Sequence, residues 1–173
     1  SRNNVLRIRK RTGFVFQNYN LFLNKTALEN ITEGLIVGRG IKKELAQAKA
    51  HELLARFSLT HRENAYPCEL SGGQQQRVAI ARALAGDPDI IYFDEPTSAL
   101  DPELTRDVLS ILKELAQQGL TMVVVTHELT FAKNIANKVV FMEAGHVVEA
   151  GDAQTIFGNP KELRTKEFLE TLA

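Results

Sequence analysis

Apolar residues recur along this chain at two spacings. Between Ile41 and Phe57, the residues Ala46, Ala50, Leu53, Leu54 and Phe57 share one helical face among charged positions, which predicts an amphipathic surface helix with a wet outer side. A second stripe of Leu104, Val108, Ile111, Leu112 and Leu115 begins after Asp101-Pro102 and stops at Gly119, the punctuation of a helix start and stop. Elsewhere the apolar residues are contiguous. Ile90 to Phe93 is flanked by turn residues and predicts a strand buried on both faces of a parallel sheet; Thr121 to Thr126 predicts the next one. Thr12 to Gln17 is a shorter strand rich in aromatic and β-branched residues, ending in the polar loop Gln17-Asn18-Tyr19-Asn20.

Local signals place further elements. Thr26 with Glu29, and Ser71 with Gln74, have capping-box spacing; the second opens a helix through Val78, Ile80, Ala81 and Leu84 that stops at Gly86. Glu128 to Ala136 reads as helix and Lys138 to Met142 as strand. Glu143-Ala144-Gly145-His146 reads as a hairpin turn between Val139-Val140 and Val147-Val148, and Lys161 to Leu172 as a closing helix. Alternation of strand and helix after Asp89 implies parallel pairing with right-handed crossovers, hence an α/β fold. The expected organisation is one domain over 1–173, with an α/β core from 12–20 and 85–173 and an inserted helical part over 21–84.

Composition narrows the function classes. With 173 residues, 44% hydrophobic, and 21 Lys+Arg against 21 Asp+Glu, the chain has material for an apolar core and no global pull toward nucleic acid or anionic membrane. The basic start, Arg2 to Arg11, lacks interleaved aromatics and reads as a solvated surface segment. The single Cys68 excludes an intrachain disulfide framework and suits a reducing compartment; it has no partner at motif spacing and reads as a bystander thiol. Apolar runs fall far short of the about 20 residues that span a bilayer, and the start shows no secretory pattern, so the cytoplasm is the default location.

Several short segments carry chemistry. Leu70-Ser71-Gly72-Gly73-Gln74 puts a glycine pair at a predicted helix N-terminus, where unpaired N–H groups and the helix dipole favour an anion; the same residues also make an ordinary capped helix with glycines for close packing. Asp94 and Glu95 stand at the C-terminal end of a predicted strand, where open α/β sheets bind ligands. One carboxylate of such a pair can hold Mg²⁺ while its neighbour orients or deprotonates water. Asp101 is a helix cap or part of a site. His127, just past the next strand, and Gln17, just past the first, are uninformative when read singly.

Together these segments resemble the ATP-binding cassette ATPase family, with five motifs in the family's order. FVFQ ending at Gln17 resembles the Q-loop, LSGGQ at 70–74 with its continuation QQQRVAIARAL the signature motif, and IIYFDEP the Walker B motif. SALD resembles the D-loop, and Thr126-His127 the switch histidine. Asn20-Leu21-Phe22, Tyr66-Pro67, DEPTSALDPEL, TMVVVTHE, Arg164-Thr165 and Phe168-Leu169 look closest to the polar amino-acid uptake branch. The resemblance implies ATP and Mg²⁺ as cofactors, a head-to-tail homodimer, membrane permease subunits as partners, and indirectly a substrate-binding protein. It implies no nucleic acid, and a peripheral place on the cytoplasmic face of the membrane. It also implies that Asp94 helps hold Mg²⁺, Glu95 is the general base and His127 contacts the γ-phosphate. Gln17 would sense Mg²⁺ and the attacking water, and Ser71, Gly72, Gly73 and Gln74 would bind phosphate of the ATP on the opposite subunit, with Asp101 of the D-loop among the nucleotide-binding residues.

One family part has no match. A Walker A loop needs glycines before a Lys-Ser/Thr pair. The only such pair, Lys25-Thr26, has Asn24 and Tyr19 where glycines belong. The family places that loop upstream of the Q-loop, so the expectation is an amino-terminally truncated cassette: a partial parallel sheet without P-loop strand and helix, exposing an apolar edge near Ile90 to Phe93 or Met122 to Val125. Alternatives are a non-catalytic fragment serving protein association, and a soluble cassette ATPase of translation or DNA maintenance.

Overall fold

The computed structural model describes residues 2–170, which form two compact units divided between Thr126 and His127. The sequence pattern does not mark the boundary at Thr126/His127.

The first unit opens with helix α1 (Arg2–Lys10), exposed along its length from Asn3 on, and strand β1 (Thr12–Val15). Helices α2 (Ala27–Arg39), α3 (Lys43–Arg56) and α4 (Gly72–Leu84) follow, then β2 (Ile90–Asp94), α5 (Pro102–Gln117) and β3 (Thr121–Val125). Both capping boxes form: Thr26 and Glu29 close the start of α2, and Ser71 and Gln74 that of α4. Ala46, Ala50, Leu53 and Leu54 are the buried face of α3, and Val108, Leu112 and Leu115 that of α5, as the stripes predict.

The three strands make one parallel sheet in the order β1-β2-β3, an α/β arrangement. Ile91 and Phe93 of β2 are fully buried, and so are Val78, Ala79, Ile80 and Ala81 of α4, the helix whose Ala83 lies against Gly13 of β1. The opposite face corrects the expectation of strands buried on both sides. Phe14, Tyr92 and Val123 lie side by side in the pairing register and are each more than a third exposed, with Phe14 and Tyr92 stacked at 6.0 Å between ring centroids. An apolar run reports β propensity; what covers each face is decided by other parts of the fold. Of the two places where an apolar edge was expected, Ile90 to Phe93 is paired on both sides, whereas β3 is, with β1, one of the sheet's two edges among the described residues, and its Val123 and Val125 are exposed.

In the second unit, α6 (Leu129–Ile135) precedes β4 (Lys138–Glu143), β5 (His146–Asp152), α7 (Ala153–Gly158) and α8 (Leu163–Glu170). β4 and β5 form the expected antiparallel hairpin, with Ala144 and Gly145 at positive φ in its turn. Among the described residues β4 pairs with β5 alone and does not extend the parallel sheet, which corrects the expectation from alternation. Phe141 and Phe168 stack at 4.7 Å, and the Arg164 guanidinium grips the Glu143 carboxylate with bonds of 2.6–2.9 Å. The predicted closing helix to Leu172 is seen as far as Glu170; its last residues lie outside the described ones.

Candidate functional site

The glycine pair sits on the first turn of α4. Ser71 Oγ accepts from the Gln74 N–H at 3.3 Å, and Gln74 Oε1 accepts from the Ser71 N–H at 3.0 Å, so two of the groups that a helix start leaves open are satisfied by the box. Neither glycine is needed for a special φ; both are needed for room. A Cβ on Gly72 would stand 3.1 Å from the Tyr19 hydroxyl and 3.3 Å from Leu100 Cδ2, and one on Gly73 would stand 2.8 Å from Leu104 Cδ2. The segment after Gln17, the LSGGQ turn and the SALD turn therefore meet at one helix end.

That meeting depends on a contorted loop. Tyr19 and Asn20 both lie at positive φ, 60° and 47°, which costs non-glycine residues about 1–3 kcal/mol each unless the surroundings impose it. Arg82, on the last turn of α4, imposes it: its Nη1 and Nη2 donate to the carbonyls of Asn20 at 2.8 Å and Tyr19 at 2.9 Å, and its guanidinium lies 5.6 Å from the Phe22 ring centroid. Burial pushes the Arg82 pKa down and the Tyr19 pKa up. Further along, the buried carboxamide of Asn30 takes the Phe22 N–H at 2.8 Å and donates to the carbonyls of Phe22, Lys25 and Thr26. Gln17 itself is exposed in the turn that begins this loop. Sequence reasoning missed Tyr19, Asn30 and Arg82. For Asn30 and Arg82 the signal was a polar or charged side chain inside a helical stretch with apolar neighbours; Tyr19, in a polar loop, carried none.

The two carboxylates end β2. Asp94 is exposed and pairs in register with Val125. Glu95 turns the chain at φ 46°; its N–H donates to the Val125 carbonyl at 3.0 Å, and its own carbonyl accepts from the N–H and the hydroxyl of Ser98 at 3.3 and 3.1 Å. The turn carries the chain to Asp101, whose Oδ1 caps α5 by accepting from the Glu103 and Leu104 N–H groups at 3.0 and 2.9 Å. Asp101 thus has the structural role that the sequence allowed. Among the described residues, no group of three or more His, Cys, Asp or Glu side chains surrounds a cation site. Mg²⁺ held against phosphate oxygens needs only one or two carboxylates, so an exposed Asp94 beside Glu95 fits that ion.

His127 is exposed and begins the second unit, its Nε2 3.9 Å from Glu128 Oε1. The structure brings together the residues around α4 in the first unit; His127 it places only in the second. A cleft of about 200 Å³ beside Thr12, Phe14, Leu35, Arg39 and Arg82 includes none of the sequence-predicted site residues. No helix among the described residues is long and apolar enough to cross a membrane.

Comparison with known proteins adds three findings. The family model described as ABC transporter matches residues 1–98. The chain is 54% identical over 96% of its length to the L-cystine transport system ATP-binding protein TcyN of Escherichia coli, 53% over 99% to the arginine transport ATP-binding protein ArgV of Corynebacterium glutamicum, and 52% over 94% to the glutamine transport ATP-binding protein GlnQ of Escherichia coli. It spans 66–68% of the length of these relatives. Among solved structures, a dimeric ATP-binding cassette in a post-hydrolysis state bound to ADP and Pi is 40% identical and superposes with a TM-score of 0.76 over 88% of this chain and 68% of that one.

Proposed function

Because this chain belongs to the ABC transporter ATPase family, we propose that it acts as the nucleotide-hydrolysing part of an importer subunit for polar amino acids. The observation that carries this reading is the packing of three family motifs at the start of α4, where Tyr19 follows Gln17, Gly72 and Gly73 belong to LSGGQ, and Leu100 belongs to SALD. The relatives' printed functions, transport of cystine, arginine and glutamine, support the amino-acid class.

In this reading Ser71, Gly72, Gly73 and Gln74 offer a helix N-terminus to the phosphates of ATP held by a second copy of the subunit, and Asp101 stands beside them in the D-loop. Asp94 would hold Mg²⁺ through its exposed carboxylate, and the ion when bound would supply Lewis-acid stabilisation of phosphoryl oxygens. Glu95 takes a proton from the attacking water. Gln17 orients that water and senses the ion, and His127 contributes a γ-phosphate contact by motif correspondence. The helical stretch 21–84 docks on a membrane permease, which together with a substrate-binding protein selects the cargo; the subunit is then peripheral, on the cytoplasmic face. No Walker A pattern occurs in the 173 residues, so the triphosphate cradle has to come from polypeptide outside them.

The test is to join a Walker A segment upstream in frame and measure Mg·ATP turnover and dimerisation. ATP-dependent dimers with turnover that needs Glu95 support the reading. A joined protein that binds ATP but neither dimerises nor hydrolyses it overturns it.

A further inference from the structure

Gln76, two residues beyond the signature glutamine, is fully buried in α4. Its Nε2 donates to the Pro96 carbonyl at 2.7 Å, and its Oε1 has no hydrogen-bond partner among the described residues. The orientation is dictated by chemistry: a flipped carboxamide would set two oxygens against each other. A buried, half-satisfied amide is costly where an apolar side chain of the same volume would pack without loss, so its donor matters.

What the donor holds is the turn of Glu95. Pro96 follows Glu95 directly, and Glu95 occupies the left-handed region at φ 46°. Such a conformation persists only when several contacts impose it. Among those that hold it are the Glu95 N–H to Val125 of β3, the Glu95 carbonyl to Ser98 within the turn, and the Pro96 carbonyl to Gln76 of α4. The bond to Gln76 ties the turn to the helix whose first residues are Gly72, Gly73 and Gln74. Thr97, also buried, has a hydroxyl without a partner among the described residues.

We infer that Gln76 is a positioning residue that couples the N-terminal end of α4 to Glu95, so that the carboxylate is aimed when that helix end is engaged. The inference rests on the reading above, in which the α4 end meets nucleotide on the second copy while Glu95 acts on the nucleotide of its own. Gln76 then links occupancy of one ATP site to hydrolysis at the other. Coupling of this kind passes through a turn that α4 and β3 both constrain.

Two measurements test it. In the 173-residue chain, Gln76→Met keeps the volume and removes the donor; the Glu95 and Ser98 amides should exchange with solvent about tenfold faster while those of Val78 to Ala81 are unchanged. In the unaltered chain, the Gln76 carboxamide protons should exchange slowly, a readout that stands even if the variant does not fold. Exchange at the rate of a free carboxamide, or a folded Gln76→Met with unaltered Glu95 and Ser98 amides, overturns the inference. In the protein joined to a Walker A segment, Gln76→Met should lower kcat about tenfold with KM for ATP and dimerisation retained, and should reduce cooperativity in ATP. Unchanged kcat and cooperativity overturn the coupling, as does a parallel loss of binding and turnover, which marks general damage. A joined parent without any turnover refutes the proposed function and the coupling with it, while the exchange result still decides whether Gln76 holds the turn.

Discussion

The guanidinium of Arg82 and the backbone of Tyr19 are joined across the first unit: Nη2 donates to the Tyr19 carbonyl at 2.9 Å while Nη1 takes the next carbonyl, that of Asn20. One planar fork thereby holds two consecutive left-handed residues and seats the Tyr19 ring against Gly72. A lysine cannot span both carbonyls with the same geometry. Arg82→Lys is expected to destabilise the chain by about 2 kcal/mol, the scale of charge-assisted hydrogen bonds in a half-buried place, and Arg82→Ala by more. Urea unfolding followed by circular dichroism measures it. A midpoint unchanged in both variants removes Arg82 as the loop's anchor.

The glycines of α4 and α2 should respond in opposite directions to alanine. Gly73 faces Leu104, whose side chain would have to shift to admit a Cβ, whereas Gly34, mid-helix in α2 and exposed, has nothing within 4 Å. Alanine improves helix propensity by up to about 1 kcal/mol at either site. At Gly73 a clash of about 1–3 kcal/mol outweighs that gain, so Gly73→Ala should lower Tm and Gly34→Ala should raise it. Stabilisation by both would mean that α4 and α5 are not packed as described.

These relationships show what the residue pattern could and could not convey. Both capping boxes were legible because their partners lie three residues apart, within a single turn. The stripes of α3 and α5 were legible because one helical face is a local property. Arg82 and Gln76 were not, since they bond backbone carbonyls 62–63 and 20 residues away, and any residue type offers a carbonyl. Strand alternation located Lys138 to Met142 and did not determine its pairing, because a following strand with a tight turn offers an antiparallel neighbour at once. The motif residues Asp94, Glu95 and Ser71 to Gln74 stood out in sequence, while the shapes that aim them depend on Tyr19, Leu100 and Leu104.

The chain by itself should show no substantial Mg·ATP hydrolysis. Asp94 ends β2 and Glu95 follows it, but in the proposed reading these residues need a triphosphate fixed in line with an attacking water, and no Walker A pattern in the 173 residues supplies that positioning, which contributes much of the rate in phosphoryl transfer. A phosphate-release assay checks this. Turnover that Glu95→Gln abolishes would show that the 173 residues hold the triphosphate unaided.

With a Walker A segment joined upstream, Glu95→Gln should reduce turnover by about 10²–10⁴-fold, the usual contribution of a general base, and leave ATP-dependent dimers intact because carboxamide and carboxylate fill the same space. His127→Ala should likewise lower turnover. Equal loss of binding and hydrolysis in Glu95→Gln would argue for a structural role, and an unaffected His127→Ala would remove it from the reaction.

Acid should loosen the second unit first through its carboxylates. The Arg164 guanidinium holds the Glu143 carboxyl below its ordinary value of 4.5, and the Lys161 N–H, followed by weaker contributions that include the Glu162 N–H, does the same for Glu149. A depressed carboxyl pKa contributes stability that is fully present above the ordinary value and is lost as pH falls through the lower, folded-state value. Both side chains are solvent-accessible, so screening keeps the contribution small, and it should shrink further in high salt. Thermal melting between pH 6 and roughly pH 2.5 should therefore show Tm falling below about pH 4.5. In Glu143→Gln the fall should be shallower, since the neutral amide has no proton to gain, and the variant's Tm should already be lower at pH 6. If wild type and Glu143→Gln lose stability in parallel across this range, the Arg164–Glu143 pair does not contribute to the acid response of the unit.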